Sequence, residues 1–274
     1  MIGLGSNRLS VCRRGGMSVT QAGKGGMEWL AGGRMPSWAS PYSAQATAAL
    51  KAQFPTQWPT IRDYGVAHPE IVGYMNAYAP EDAKIAYSLV EGIGWRAIRP
   101  QNTNSYFKPN YSGLDLTAYV RTKLKVLTLG STTGFCGIWN SYDNFRLYCN
   151  TNREIRAQYK DGTYAKNVGD NIFNIHTIEL GRGKYIVDDE VVATFTNAST
   201  SITRDYLVGC TMSNTPEWPS ADSVLEIGEH YIECGNFKSW LVPFKRNNTA
   251  ELLDMVSGNL ATKVGSGFQI IDPS

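Results

Sequence analysis

The 274-residue sequence predicts a mostly β chain: an antiparallel β-sandwich fronted by a short N-terminal arm and a helical segment. Three observations carry this. From about Lys84 onward, short runs of β-branched and aromatic residues alternate with clusters of Gly, Asn, Asp and Ser. Apolar and polar residues alternate with period two through residues 117–126. Asp188-Asp189 separates two such runs as a tight hairpin turn does. Many short strands with few helices argue for stacked antiparallel sheets. The expected division is an extended arm over 1–40, a small helical docking segment over 41–83 and the sandwich over 84–274.

The arm is glycine-dense, with Gly15-Gly16, Gly25-Gly26 and Gly32-Gly33, which frustrates helix and sheet alike. It nevertheless carries Met17, Met27, Trp29, Leu30, Met35 and Trp38, an apolar load out of keeping with a freely solvated tail. These six are the expected assembly contacts, wrapping a partner surface. A helix is predicted over 41–54, with Ser40 as cap, Ala44, Ala46, Ala48, Ala49 and Leu50 as helix formers, and Pro55 and Pro59 as stops. A second, over Pro69–Tyr78, places Ile71, Val72, Met75 and Tyr78 at helical spacing and ends at Ala79-Pro80.

Candidate strands follow at 85–90, 116–125, 135–140, 145–149, 153–159, 173–180, 184–187, 190–196, 206–212 and 229–240. Gly181-Arg182-Gly183-Lys184 reads as a strand-to-strand turn rather than a phosphate loop, because no helix follows it.

Composition bounds the function. Hydrophobic residues at 42% and charged residues at 18% describe a globular chain. A net charge of +2 makes no electrostatic case for nucleic acid. No run of about 18 apolar residues offers a membrane-spanning helix, and residues 1–33 hold no apolar stretch of signal-peptide length. The five cysteines, Cys12, Cys136, Cys149, Cys210 and Cys234, form no close metal or redox pair, and synthesis in a reducing cytoplasm is expected. Cys136 and Cys149 fall on adjacent strands, where a disulfide and two buried thiols are both open.

Catalytic chemistry is hard to find. A glycosidase on a sandwich needs two carboxylates flanking the cleaved bond. The nearest segment, 226–233, holds Glu226 and Glu229 three apart, which a regular strand sends to opposite faces, and Gly228 stands where a helper Asp is needed. His68, His176 and His230 are widely spaced and read as structural. Asp188-Asp189-Glu190 has oxygen ligands suited to Ca²⁺, but a hairpin turn explains it more simply. No enzyme activity, metal or cofactor is expected. The candidate surface site is the loop Trp139-Asn140-Ser141-Tyr142-Asp143-Asn144: a ring face for a sugar, with Trp139, Tyr142, Asp143 and Asn144 as glycan-binding residues. The competing reading is a hairpin with Trp139 in the core. Trp218, between Pro216 and Pro219, reads as a rigid loop.

Two stretches carry a family resemblance. The first is Tyr87-Ser88-Leu89-Val90-Glu91-Gly92-Ile93-Gly94, then Ala97-Ile98-Arg99-Pro100, then Phe107-Lys108-Pro109-Asn110. The second is Asn236-Phe237-Lys238-Ser239-Trp240, Leu241-Val242-Pro243-Phe244-Lys245-Arg246, and the hook 252–260 followed by Gly265-Ser266-Gly267-Phe268. Together, over roughly residues 85–272, they resemble the concanavalin A-like, laminin-G-like jelly-roll domains of phage and gut-bacterial proteins. The usual Tyr before Asp254 is here Leu253, and the linker after Trp240 is shortened. Residues 3–9 look like the N-termini of small structural proteins of gut Bacteroidetes phages. The resemblance implies a non-enzymatic virion structural protein, a head or tail fibre or capsid decoration, partnered with itself as a homo-oligomer and with other virion proteins. The alternative it implies is a carbohydrate-binding module for a host surface glycan.

Overall fold

A computed structural model describes residues 39–85, 90, 94–101, 105–111, 114–138, 144–198, 200, 205–212, 216–217 and 224–272. The chain divides into two compact units, with the boundary between Ala83 and Lys84.

The described part of the first unit is helical: α1 (Ala44–Gln53), α2 (Trp58–Ala67) and α3 (Val72–Tyr78), the last entered through a 3₁₀ turn at Pro69–Ile71. Ser43, not Ser40, caps α1; its Oγ accepts the Ala46 N–H at 3.1 Å. Ser40 Oγ instead accepts from the Tyr42 N–H at 3.1 Å. α2 is a helix the sequence reading missed. Pro59 sits in its first turn, where no N–H is needed, so it starts a helix rather than stopping one. Tyr42 Oη donates to the Ile61 carbonyl at 2.8 Å. That hydroxyl lies where a Cβ on Gly65 would stand, only 2.3 Å away.

The second unit is an antiparallel β-sandwich. The strands are β1 (Ala97–Pro100), β2 (Tyr106–Lys108), β3 (Tyr119–Thr128), β4 (Thr132–Ile138), β5 (Asn144–Asn150), β6 (Glu154–Lys160), β7 (Gly162–Asn167), β8 (Ile175–Gly181), β9 (Lys184–Val187) and β10 (Glu190–Thr194). They continue with β11 (Leu207–Val208), β12 (Thr211–Met212), β13 (Pro216–Glu217), β14 (Val224–Cys234), β15 (Phe237–Arg246), β16 (Thr249–Asp254), β17 (Thr262–Val264) and β18 (Phe268–Ile271). One sheet runs β10-β9-β8-β3-β14-β15-β16, with β1 also beside β14 and β18 beside β1; the other runs β17-β2-β11-β4-β5-β6-β7, with β12 also beside β4 and β13 beside β12. Pairing is antiparallel except for one parallel bridge between Met212 and Ile138.

Two-residue turns set the hairpin registers. Arg182-Gly183, Asp188-Asp189 and Asn247-Asn248 each hold both residues at positive φ, as a type I′ turn requires. Between the sheets lies one continuous apolar core that includes Phe107, Val120, Leu124, Phe145, Leu147, Ile178, Leu180, Ile227 and Leu241. Buried hydroxyls find carbonyls across it: Tyr159 Oη donates to Leu116 O at 2.6 Å and Tyr185 Oη to Ile155 O at 2.7 Å.

Several expectations need correction. Ile85 closes a 3₁₀ turn at Ala83–Ile85 rather than opening a strand. Residues 229–240 are not one strand; Gly235-Asn236 turns the chain, with Gly235 at φ 57, so Cys234 faces Phe237 across a hairpin. The run 206–212 breaks into β11 and β12 around Gly209. β7, an edge strand of Gly-Thr-Tyr-Ala-Lys-Asn, was not foreseen. Cys136 lies opposite Leu147 and Cys149 opposite Thr133, so the two are not paired; both are buried free thiols. Burial pushes each thiol up to about 12.

Candidate functional site

The described part of the sandwich concentrates polar side chains at an irregularity in β14. The apolar phase of this strand runs Leu225, Ile227, then His230, Ile232, Cys234, all turned into the interior. The step from 227 to 230 is three residues, not two. The pairing to β3 shifts over the same interval, Ile227 facing Leu124 and His230 facing Thr122. This is a β-bulge at Gly228-Glu229. It corrects the expectation from a regular strand: Glu226 and Glu229 both emerge on the outer face.

The bulge is also where the sheet forks. β3 accompanies β14 along its whole length. On the other edge, β1 pairs with β14 at Ile227–Ile98, while β15 pairs with it only from His230–Leu241 to Cys234–Phe237. Pro243 lies in β15 past the fork, where the strand has left β14, so its missing N–H costs no bond on that side.

Each carboxylate is held by one arm of the fork. Glu226 Oε1 pairs with Arg99 Nη2 of β1 at 2.5 Å, and Oε2 accepts the Trp95 indole N–H at 2.8 Å. Glu229 Oε2 accepts the Trp240 indole N–H of β15 at 3.1 Å; its Oε1 pairs with Arg121 Nη1 at 3.3 Å and Lys123 Nζ at 3.6 Å on β3. Trp95 lies directly on Gly228, where a Cβ would stand 2.7 Å from its six-membered ring. Both Glu side chains are nearly covered, at 4% and 10% exposure, whereas Arg99, Arg121 and Lys123 stand 30–40% exposed. The strand that carries them is central in its sheet, with buried acids under exposed cations.

The network continues along the outer face. Tyr119 Oη donates to Glu179 at 2.7 Å, Tyr231 Oη donates to Glu233 at 2.7 Å, and Arg182 pairs with Glu233 while lying over the Tyr119 ring. Burial would raise the Glu233 carboxyl, but the Tyr231 and Arg182 hydrogen bonds outweigh it and hold the group below the usual range.

Elsewhere the sequence-selected residues fall out as follows. Trp139, Tyr142 and Asp143 of the expected glycan loop, the six arm residues Met17, Met27, Trp29, Leu30, Met35 and Trp38, and Trp218 lie outside the described residues. Asn144 opens β5, is buried, and donates its amide to Lys160 O at 2.8 Å across the hairpin. Asp188 is bound to the fold through His176 Nδ1 at 2.7 Å and the Thr177 N–H at 2.9 Å, and Glu190 pairs with Lys166. Among the described residues no group of three potential metal ligands gathers. His68 stacks on Tyr64. His230 lies wholly inside, Nε2 against Tyr206 Oη at 3.1 Å and Nδ1 with no partner among the described residues, and burial drives its pKa down to about 3.

Trp95, Arg99, Arg121, Lys123 and Trp240 were not anticipated as neighbours of the two Glu residues. One signal was present: an isolated Gly inside an alternating strand whose apolar phase jumps by one residue. No protein-family model matches the chain, and no curated protein matches it in sequence.

Proposed function

We infer that this chain is a non-enzymatic structural protein of a phage particle, self-associating, made in the bacterial host cytoplasm and mounted as a head or tail decoration. The observation that carries the non-enzymatic reading is the state of the Glu226/Glu229 pair. A glycosidase acid must present a proton to the leaving oxygen, and its partner must present a free lone pair to carbon or water. Here every carboxylate oxygen is engaged by a guanidinium, an ammonium or an indole N–H. Such carboxylates organise their neighbours rather than exchange protons with a substrate.

Particle membership is supported by the laminin-G-like motifs at 87–110 and 236–268 and by the two-unit organisation, which suits a docking segment carrying a displayed sandwich. The arm residues Met17, Met27, Trp29, Leu30, Met35 and Trp38 are proposed to bury against a neighbouring subunit or another particle protein; each such side chain is worth roughly 1.5–3 kcal/mol on burial. The test is mass spectrometry of purified particles, with and without deletion of residues 1–37. The chain is expected in wild-type particles and lost from the deletion. Its absence from wild-type particles refutes the assignment; its retention after deletion refutes the role of the arm.

A further inference from the structure

We propose that β7, the outermost strand of its sheet, is a seam at which two copies of this chain pair edge to edge about a two-fold axis. The proposal rests on the self-association inferred above and names its surface. Val168 N–H donates to the Arg153 carbonyl at 3.1 Å, one rung of the ladder between β6 and β7. Antiparallel pairs alternate between bonded and unbonded rungs, so the bonded ones continue at Ile155–Lys166, Ala157–Tyr164 and Tyr159–Gly162. Thr163, Ala165 and Asn167 therefore turn their backbone N–H and C=O groups away from β6. All three residues are exposed, and among the described residues no backbone group bonds to that side of β7. Three N–H and three C=O groups stand there in one row.

Among the described strands the other edges are guarded or short. On β16 the outer groups are taken: Ala261 N–H donates to Leu252 O at 2.9 Å, Asp254 N–H to Asn259 O at 2.8 Å, and Lys263 Nζ to Ala250 O at 3.1 Å. β10 carries a bulge, with Val192 left over between Val191 and Ala193, a device that spoils strand addition. β13, β17 and β18 are two to four residues long. β7 has six residues, an unbroken register and no proline. An inward-turned charge also guards an edge, and Lys166 does stand opposite the core residue Ile155; but Glu190 of β10 neutralises that ammonium at 2.5 Å.

A second copy fits this edge because the edge is complementary to itself. One two-fold register uses every outward group: Ala165 opposite Ala165 of the other copy, with Thr163 opposite Asn167 on either side. Small side chains then meet at the axis, and a hydroxyl meets an amide beside them. Between these rungs Tyr164 faces Lys166 of the other copy, so each ammonium meets a ring and no like charges are opposed.

The test follows the full chain by sedimentation velocity and amide hydrogen exchange over a concentration series. Dimers are expected as concentration rises, with exchange at residues 163–167 slowing in step. Ala165→Pro removes an N–H that β6 does not use, so the sandwich should stay folded while self-association weakens about tenfold. Ala165→Lys and Ala165→Glu each set like charges across the axis and should each weaken it about fivefold. An equimolar mixture of those two variants should pair as the wild type does. Unchanged melting curves certify the variants; should the proline variant unfold, the two charged ones carry the test. The proposal is overturned if exchange at 163–167 is the same at every concentration, or if the folded Ala165 variants associate as the wild type does. Association that persists in either case runs through another surface and leaves the assembly reading intact. A chain that stays monomeric throughout refutes the seam and the self-association together.

Discussion

His230 makes the sandwich acid-sensitive in a way that can be calculated. The imidazole is fully enclosed, opposite Thr122 and Leu241 in the sheet, and among the described residues Tyr206 Oη is its one side-chain hydrogen-bond contact. Its folded pKa is about 3 against an ordinary 6.5, so it stays neutral in the fold while the unfolded chain takes up a proton as the pH drops below 6.5. Stability from this group is complete above pH 6.5 and declines as pH falls, by about 1.4 kcal/mol per unit. Between pH 6.5 and about pH 4.5 the loss is about 3 kcal/mol, a large share of a typical 5–15 kcal/mol total. The window closes near the folded pKa, below which both states are charged. Urea melts followed by the circular dichroism of the sheets, at pH 7 and about 4.5, measure the slope. His230→Phe removes the titration and the unpartnered Nδ1 together, and its stability difference between the two pH values should be smaller by about 3 kcal/mol. Equal pH dependence in the two proteins refutes the burial argument.

Other consequences follow from single contacts. Gly65→Ala drives a methyl into Tyr42 Oη and should cost the helical unit about 1–3 kcal/mol, read as a lower melting temperature. Asp272→Ala removes the ion pairs to Lys84 and to Arg96, whose side chain is 0% exposed; a cost of about 3 kcal/mol is expected in urea melts, and a loss under 1 kcal/mol shows that Arg96 does not depend on the pair. Cys136, Cys149 and Cys210 should resist iodoacetamide in the native protein and react on unfolding, because burial raises all three thiols; rapid native labelling contradicts this. Deleting residues 1–83 should leave a β-type spectrum and a cooperative melt, since the boundary at Lys84 precedes every strand described.

Much of the sandwich was legible because local chemistry and tertiary structure agree there. The β9–β10 hairpin is one example: Asp188-Asp189 between two β-rich runs marks the turn, and both residues adopt the positive φ it needs. What escaped was punctuation with two meanings. Pro59 stops a helix from within but opens one from its first turn, and only the packing of Trp58 and Ile61 into the first unit decides. Gly235-Asn236 lies inside what reads as one long β run, and its turn is visible only once Phe237 is seen to pair back onto Cys234. The candidate site was half legible. Glu226 and Glu229 were singled out, yet their common face depends on a bulge, and their partners Trp95 and Arg99 lie 131 and 127 residues away from Glu226 in the chain. Contacts at that separation leave no local trace. The alternation of β3 shows Arg121 and Lys123 on one face but cannot say which strand lies beside them.

The pairing of β1 with β18 has a consequence for how nature or an engineer can move this domain. Ala97 faces Ile271 and Pro100 faces Phe268, so the first and last of the described strands are neighbours. The sandwich is a closed excursion of the polypeptide. Lys84 Nζ lies 3.1 Å from Asp272, so a short glycine-rich bridge from 272 to 84 should allow new termini to be opened at a distant hairpin such as Asn247-Asn248.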